Sequence, residues 1–131
     1  MKKLAALGAL ALLSGCIHYR NAPAVAGGAA APQGTPVGLG QPVRVGTLTV
    51  TPLSVVEDSR CPENARCVWA GRLVVATRID GPGWREIPEL AIGESYTTPA
   101  ATVTLVSGMP EKRTDVVTAP AEYRFVYDGS N

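Results

Sequence analysis

After residue 42 the apolar positions recur with a period of two. Val43 and Val45 flank Arg44, and Gly46 ends the run. Leu48 and Val50 alternate with Thr47, Thr49 and Thr51. Pro52 interrupts, and Leu53 and Val55 resume in the opposite phase, as a bulge on an edge strand would require. From Val68 to Ile79 the pattern predicts a strand with Trp69, Leu73, Val75 and Ile79 on one face and Arg72 and Arg78 on the other. Asp80-Gly81-Pro82-Gly83 reads as a turn, and Trp84 to Ile92 as a strand that Pro88 places at an edge. Val103 and Leu105 alternate with Thr102 and Thr104; Tyr123, Phe125 and Tyr127 alternate with Glu122, Arg124 and Asp128. No stretch beyond Cys16 shows a convincing helical period. Five to seven short strands between Gly/Pro turns predict an all-β domain over residues 43–128, a small antiparallel sandwich or barrel. Its core is expected to include Trp69 under the aromatics of the last strand. The long connection from Ser107 to Ala119 is expected to be mobile and solvated.

The segment ahead of this domain is different. His18 to Pro42 is rich in Ala and Gly, carries prolines at Pro23, Pro32, Pro36 and Pro42, and has no periodicity. Gly and Pro at that density break helices and strand interiors. We expect residues 16–42 to be a disordered tether, with a coil reach of ~27 Å. His18, the one histidine of the chain, lies two residues beyond Cys16 and is read as solvated rather than catalytic. Met1 to Gly15 has the make-up of a secretion signal: Lys2 and Lys3, then an apolar run from Leu4 to Leu13 too short for a lasting membrane span. The run ends in Leu13-Ser14-Gly15-Cys16. This resembles the lipobox of bacterial lipoproteins at all four positions. The resemblance implies cleavage before Cys16, a diacylglycerol on its thiol and an acylated amino group. Ile17 in place of Asp implies the outer membrane, with the domain in the periplasm.

Composition narrows the function classes. Only 18% of residues are charged and the net charge is +1. Loss of Lys2 and Lys3 with the leader leaves ten basic and eleven acidic residues. That balance argues against nucleic acid, which demands a basic face. No cofactor motif is present.

The chemistry of the domain is concentrated in Glu57 to Arg72, EDSRCPENARCVWAGR. With Cys16 assigned to lipid, Cys61 and Cys67 form an even pair in an oxidising compartment, and a disulfide is the natural reading. The seven-residue ring it closes is worth ~2.4 kcal/mol on loop-entropy grounds. Asp58 and Ser59 are placed to cap loop N–H groups, and Arg60 to pair with Asp58 or Glu57. One reading of such a ring is that it simply fixes a turn. Metal binding by Cys61, Cys67 and the carboxylates of Glu57, Asp58 or Glu63 is a weak alternative, since structural zinc takes four N/S ligands. Catalysis is also a weak alternative: Glu57 and Asp58 are adjacent and face opposite ways in a strand, and no histidine is there to activate Ser54, Ser59 or a thiolate. Recognition is the remaining reading, through a rigid loop bearing Asp58, Arg60, Glu63 and Arg66.

The run Glu57-Asp58-Ser59-Arg60-Cys61-Pro62 followed by Cys67-x-Trp69-Ala70-Gly71 resembles a motif of small bacterial secreted proteins and lipoproteins of unknown function, E-D-S-R-C-P-x4-C-x-W-A-G. The likeness extends loosely from Gln41 to Asp128, including Met109-Pro110 and the aromatic last strand. It implies a β-domain and a disulfide, and it brings no activity with it. The sequence therefore points to a lipid-anchored envelope protein, not an enzyme, acting as a binding or structural module. Its expected partners are the membrane, through the lipid, and an envelope protein or ligand. The alternative is a protease-inhibitor-like protein using the loop Arg60 to Arg66.

Overall fold

The computed structural model describes residues 28–131. The leader, Cys16 and His18 lie outside them. Within the described residues the chain forms two antiparallel sheets that face one another, as the sequence pattern predicts.

The first sheet contains β1 (Val43–Val45), β2 (Leu48–Asp58) and β3 (Leu73–Gly81) in that order. Two short strands, β4 (Trp84–Glu86) and β5 (Glu89–Ala91), share the far side of β3: β5 pairs with Val74–Ala76 and β4 with Ile79–Gly81. The expected strand from Trp84 to Ile92 is thus two pieces broken at Ile87-Pro88. The break follows from Pro88, which has no N–H for the ladder; its carbonyl instead accepts the Thr77 N–H at 2.9 Å. The Pro82-Gly83 turn joins β3 to β4, with Gly83 at φ 75°, a conformation glycine adopts without cost. The second sheet is β6 (Ser95–Thr97), β7 (Thr102–Met109) and β8 (Arg124–Ser130). β6 has no counterpart in the sequence reading, being three residues long.

Alternation decides which side chains meet between the sheets. Val43, Val45, Leu48, Val50, Leu73, Val75 and Ile79 point inward from the first sheet; Val103, Leu105, Phe125 and Tyr127 point inward from the second. The phase change in β2 is real: its register against β3 shifts between Pro52 and Ser54 and again between Val55 and Glu57. β2 is not an edge along its whole length, since β1 covers Leu48–Val50 and the Gly40 N–H reaches the Pro52 carbonyl at 2.7 Å. Two buried hydroxyls, Thr77 Oγ1 and Tyr127 OH, bond each other at 2.9 Å between the sheets.

Two expectations are corrected here. The residues from Ala31 to Pro42, expected to be disordered, belong to the folded domain. Ala31 runs parallel to Val43, with its N–H on the Pro42 carbonyl and its carbonyl accepting from Arg44. Val37 is fully buried and exchanges two hydrogen bonds with Phe125, at 2.9 and 2.8 Å. An isolated valine among Gly and Pro gives no period, so its place in the core was invisible in the pattern. The second correction is Trp69. It is not a core residue: it is 83% exposed and lies before β3 begins. The period of two does not continue through Gly71, whose φ of 64° is not extended, so phase is lost there.

Candidate functional site

At one end of the sandwich two loops are laced together: residues 59–72, between β2 and β3, and residues 110–119, between β7 and the short 3-10 turn Pro120–Glu122. The opposite end carries the Gly46 and Pro82-Gly83 turns and the last residues of the chain.

The first loop is built as a ladder that outlasts the sheet. The Ser59 N–H donates to the Arg72 carbonyl at 2.9 Å, and the Cys61 N–H to the Ala70 carbonyl at 3.1 Å. Ser59 Oγ accepts the Arg72 N–H at 3.1 Å and donates to Glu57 Oε1 at 3.0 Å. Arg72 Nε donates to Glu57 Oε2 at 2.8 Å. That bond, then the one from Ser59, holds the Glu57 carboxyl below its ordinary value. Gly71 is required at this crossing, because a Cβ there would lie 1.7 Å from the Ser59 carbonyl oxygen. Beyond the ladder, Cys61 and Cys67 are joined by the expected disulfide, with Cα atoms 5.8 Å apart. With both sulfurs in that bond, neither cysteine is available as a thiolate metal ligand.

Below the ring lies a polar cluster. Arg60 forms a two-pronged pair with Asp58, Nε to Oδ1 at 2.9 Å and Nη2 to Oδ2 at 3.0 Å. The same guanidinium donates to the carbonyls of Gly108 at 3.1 Å and Pro110 at 3.0 Å. Tyr123 OH donates to Asp58 Oδ2 at 2.8 Å. Lys112 Nζ reaches the Asp58 carbonyl. The side chains of Arg60 and Asp58 are only 13% and 12% exposed. Burial pushes the Asp58 carboxyl up, but the bonds from Arg60 and Tyr123 and the charges of Arg60 and Lys112 outweigh it and hold it below the carboxylate norm. Burial and the neighbouring Asp58 carboxylate push the Tyr123 phenol up.

This cluster revises the recognition reading. Asp58 and Arg60 do meet, as expected, but they face inward and clamp the second loop to the first. Glu63 pairs with Arg113 across the two loops. The Glu63 N–H donates to the Lys112 carbonyl at 2.8 Å, and Asn64 and Thr114 exchange two further bonds, at 3.0 and 3.1 Å. The connection expected to be mobile is therefore fastened at several points. Arg66 alone of the four expected recognition residues stands exposed without an ion-pair partner among the described residues.

Among the side chains that the two loops present outward are large apolar ones. Val68 is 92% and Trp69 83% exposed at the tip of the first loop; Val117 is 94% exposed on the second. A shallow groove of about 470 Å³ lies between the two loops, lined by Asp58, Pro62, Lys112, Thr114, Val117 and Tyr123; Val68 and Trp69 do not line it. Among the described residues no three His, Cys, Asp or Glu side chains are grouped to hold a metal. The residues that sequence reasoning missed are the clamps from elsewhere in the chain, Tyr123, Lys112 and Arg113, together with Gly71. Only Gly71 left a local signal, as a glycine inside an apparent strand. The lipidation site Cys16 lies outside the described residues. Comparison with protein-family models, curated proteins and solved structures finds no match to this chain.

Proposed function

We propose that this is a lipid-anchored protein of the bacterial envelope whose β-sandwich acts as a binding module, docking through the closed tip between Cys61 and Arg72. One observation carries the docking surface: a tryptophan and a valine stand almost wholly in solvent on a loop held by a disulfide, a ladder and a buried ion pair. Large apolar side chains exposed together on a rigid frame cost solubility and lose little entropy on docking, which is the signature of an interaction site. The anchor rests on the Leu13-Ser14-Gly15-Cys16 lipobox.

The protease-inhibitor alternative is reduced to Arg66, since the Arg60 guanidinium is engaged by Asp58 and two carbonyls. Stoichiometric inhibition of a trypsin-like protease, lost in Arg66→Ala, is what would favour it.

Site-specific photo-cross-linking in intact cells tests the docking surface. A benzophenone side chain at position 69 is expected to give adducts, and one at Arg85, exposed on β4 away from the tip, none. Equal labelling from both positions would remove the tip from consideration as a docking surface.

A further inference from the structure

We infer that the partner of the tip is the lipid surface itself: Val68 and Trp69 dip into the interface of the membrane to which the chain is tethered. The inference rests on the docking reading above and names its partner.

The first argument is where the chain enters the domain. Ala31 runs parallel to β1, so residues 28–30 lie on the Pro42 side of it. β2 runs antiparallel to β1, with Val50 level with Val43, so Asp58 and the disulfide ring lie beyond Val43 on that same side. The chain therefore enters from the end that carries the tip, not from the end with Gly46 and the last residues. Eight residues of strand separate Val50 from Asp58, or about 26 Å at ordinary strand rise. Gly28 sits about 10 Å along the same path from Ala31. Adding the ring, the tip stands on the order of 25 Å beyond Gly28. Twelve residues from Cys16 to Gly28 span at most about 40 Å. A lipid on Cys16 thus lies within reach of a domain whose tip faces the bilayer.

The second argument is the chemistry of the tip. Tryptophan is enriched at the membrane–water boundary, where its ring meets acyl chains and its N–H meets water and head groups. The charges around it balance: Glu57, Asp58 and Glu63 against Arg60, Arg66 and Arg72 on one loop, Glu111 and Asp115 against Lys112 and Arg113 on the other. Nothing here requires anionic lipid, so insertion is apolar and insensitive to salt.

The test uses the full chain purified from membranes and placed on phosphatidylcholine vesicles, with and without bromine on the acyl chains. The chain has two tryptophans, Trp69 on the tip and Trp84 on β4. Trp84→Phe leaves Trp69 as the reporter. Trp69→Phe leaves Trp84, and its difference from the wild type gives the Trp69 signal should Trp84→Phe fail to fold. Trp69 emission is expected to fall roughly twofold on brominated vesicles, as an interfacial indole does, equally at low and high salt, while Trp84 emission is unchanged. Unquenched Trp69 overturns the inference, and cross-links from position 69 to a protein would then name the true partner. Quenching abolished by salt overturns the apolar mode of insertion. Intact mass reports the Cys16 lipid separately, so a missing anchor and a dry tip are distinguishable failures; if the lipid is missing, quenching on added vesicles still decides the inference.

Discussion

Asp58 is the residue on which this end of the molecule depends. One carboxylate receives Arg60 and Tyr123, and through Arg60 it fixes the carbonyls of Gly108 and Pro110 from the neighbouring sheet. Removing it leaves a guanidinium nearly out of solvent with its charge uncompensated. Asp58→Ala is expected to cost about 3 kcal/mol, measured by urea denaturation. The pH dependence has a definite sign. The Asp58 carboxyl is held below its unfolded value, so its contribution is present in full above an unfolded pKa of about 3.9 and is lost as pH falls through the folded value. Stability of the wild type should therefore fall on acidification below about pH 4–5, and Asp58→Ala should flatten that decline. The Tyr123 phenol is raised, so its contribution is present below its unfolded pKa and is lost as pH rises through the folded value. The legibility of this cluster in the sequence was partial. Asp58 and Arg60 are two apart, and their pairing could be read locally. Tyr123 lies 65 residues further on, and no local pattern could bring its hydroxyl to Asp58.

At the scale of elements, the loop from Ser59 to Arg72 is a frame rather than a flexible insertion. The ladder from Ser59 to Cys61, the Gly71 crossing and the disulfide each hold it. The second loop then closes over it through Glu63, Asn64 and Arg113. The sequence ring of Cys61 to Cys67 was plain, and so was the turn chemistry of Pro62 and Asn64. The strand boundary was not, because Val68-Trp69 continues the alternation of β3 numerically while Gly71 breaks it geometrically. Cys61→Ser with Cys67→Ser is expected to lower stability by about 2.4 kcal/mol, the loop-entropy value for a ring of this size. It should also change cleavage. Arg66 is exposed inside the ring, and trypsin should cut after it faster once the ring is opened. Peptide mapping of the intact and reduced protein checks this; equal rates would mean that the ladder and the second loop alone hold the segment.

For the whole molecule, the two ends of the sandwich are unlike. One bears the tip, the clamped loops and the side from which the chain enters; the other bears plain turns. That polarity would give the proposed tether a direction as well as a length. The proposed anchor makes its own prediction: Cys16→Ala should shift the protein out of the membrane fraction when cells are broken without detergent. If the Cys16→Ala protein still sediments fully with membranes, the lipid is not what holds it there.

By itself the sequence determined the class of fold, most of the strands, the turn at Pro82-Gly83 and the disulfide. These are local matters: a period of two, proline and glycine geometry, and two cysteines with no other partner once Cys16 is set aside. The structure alone decided which strands share a sheet, that Val37 belongs to the core, that Arg60 is an internal clamp, and that Trp69 is outside. Each of these turns on a contact between distant residues or on one glycine dihedral. Such contacts form only when the two sheets close, and an alternation of polar and apolar residues does not encode them.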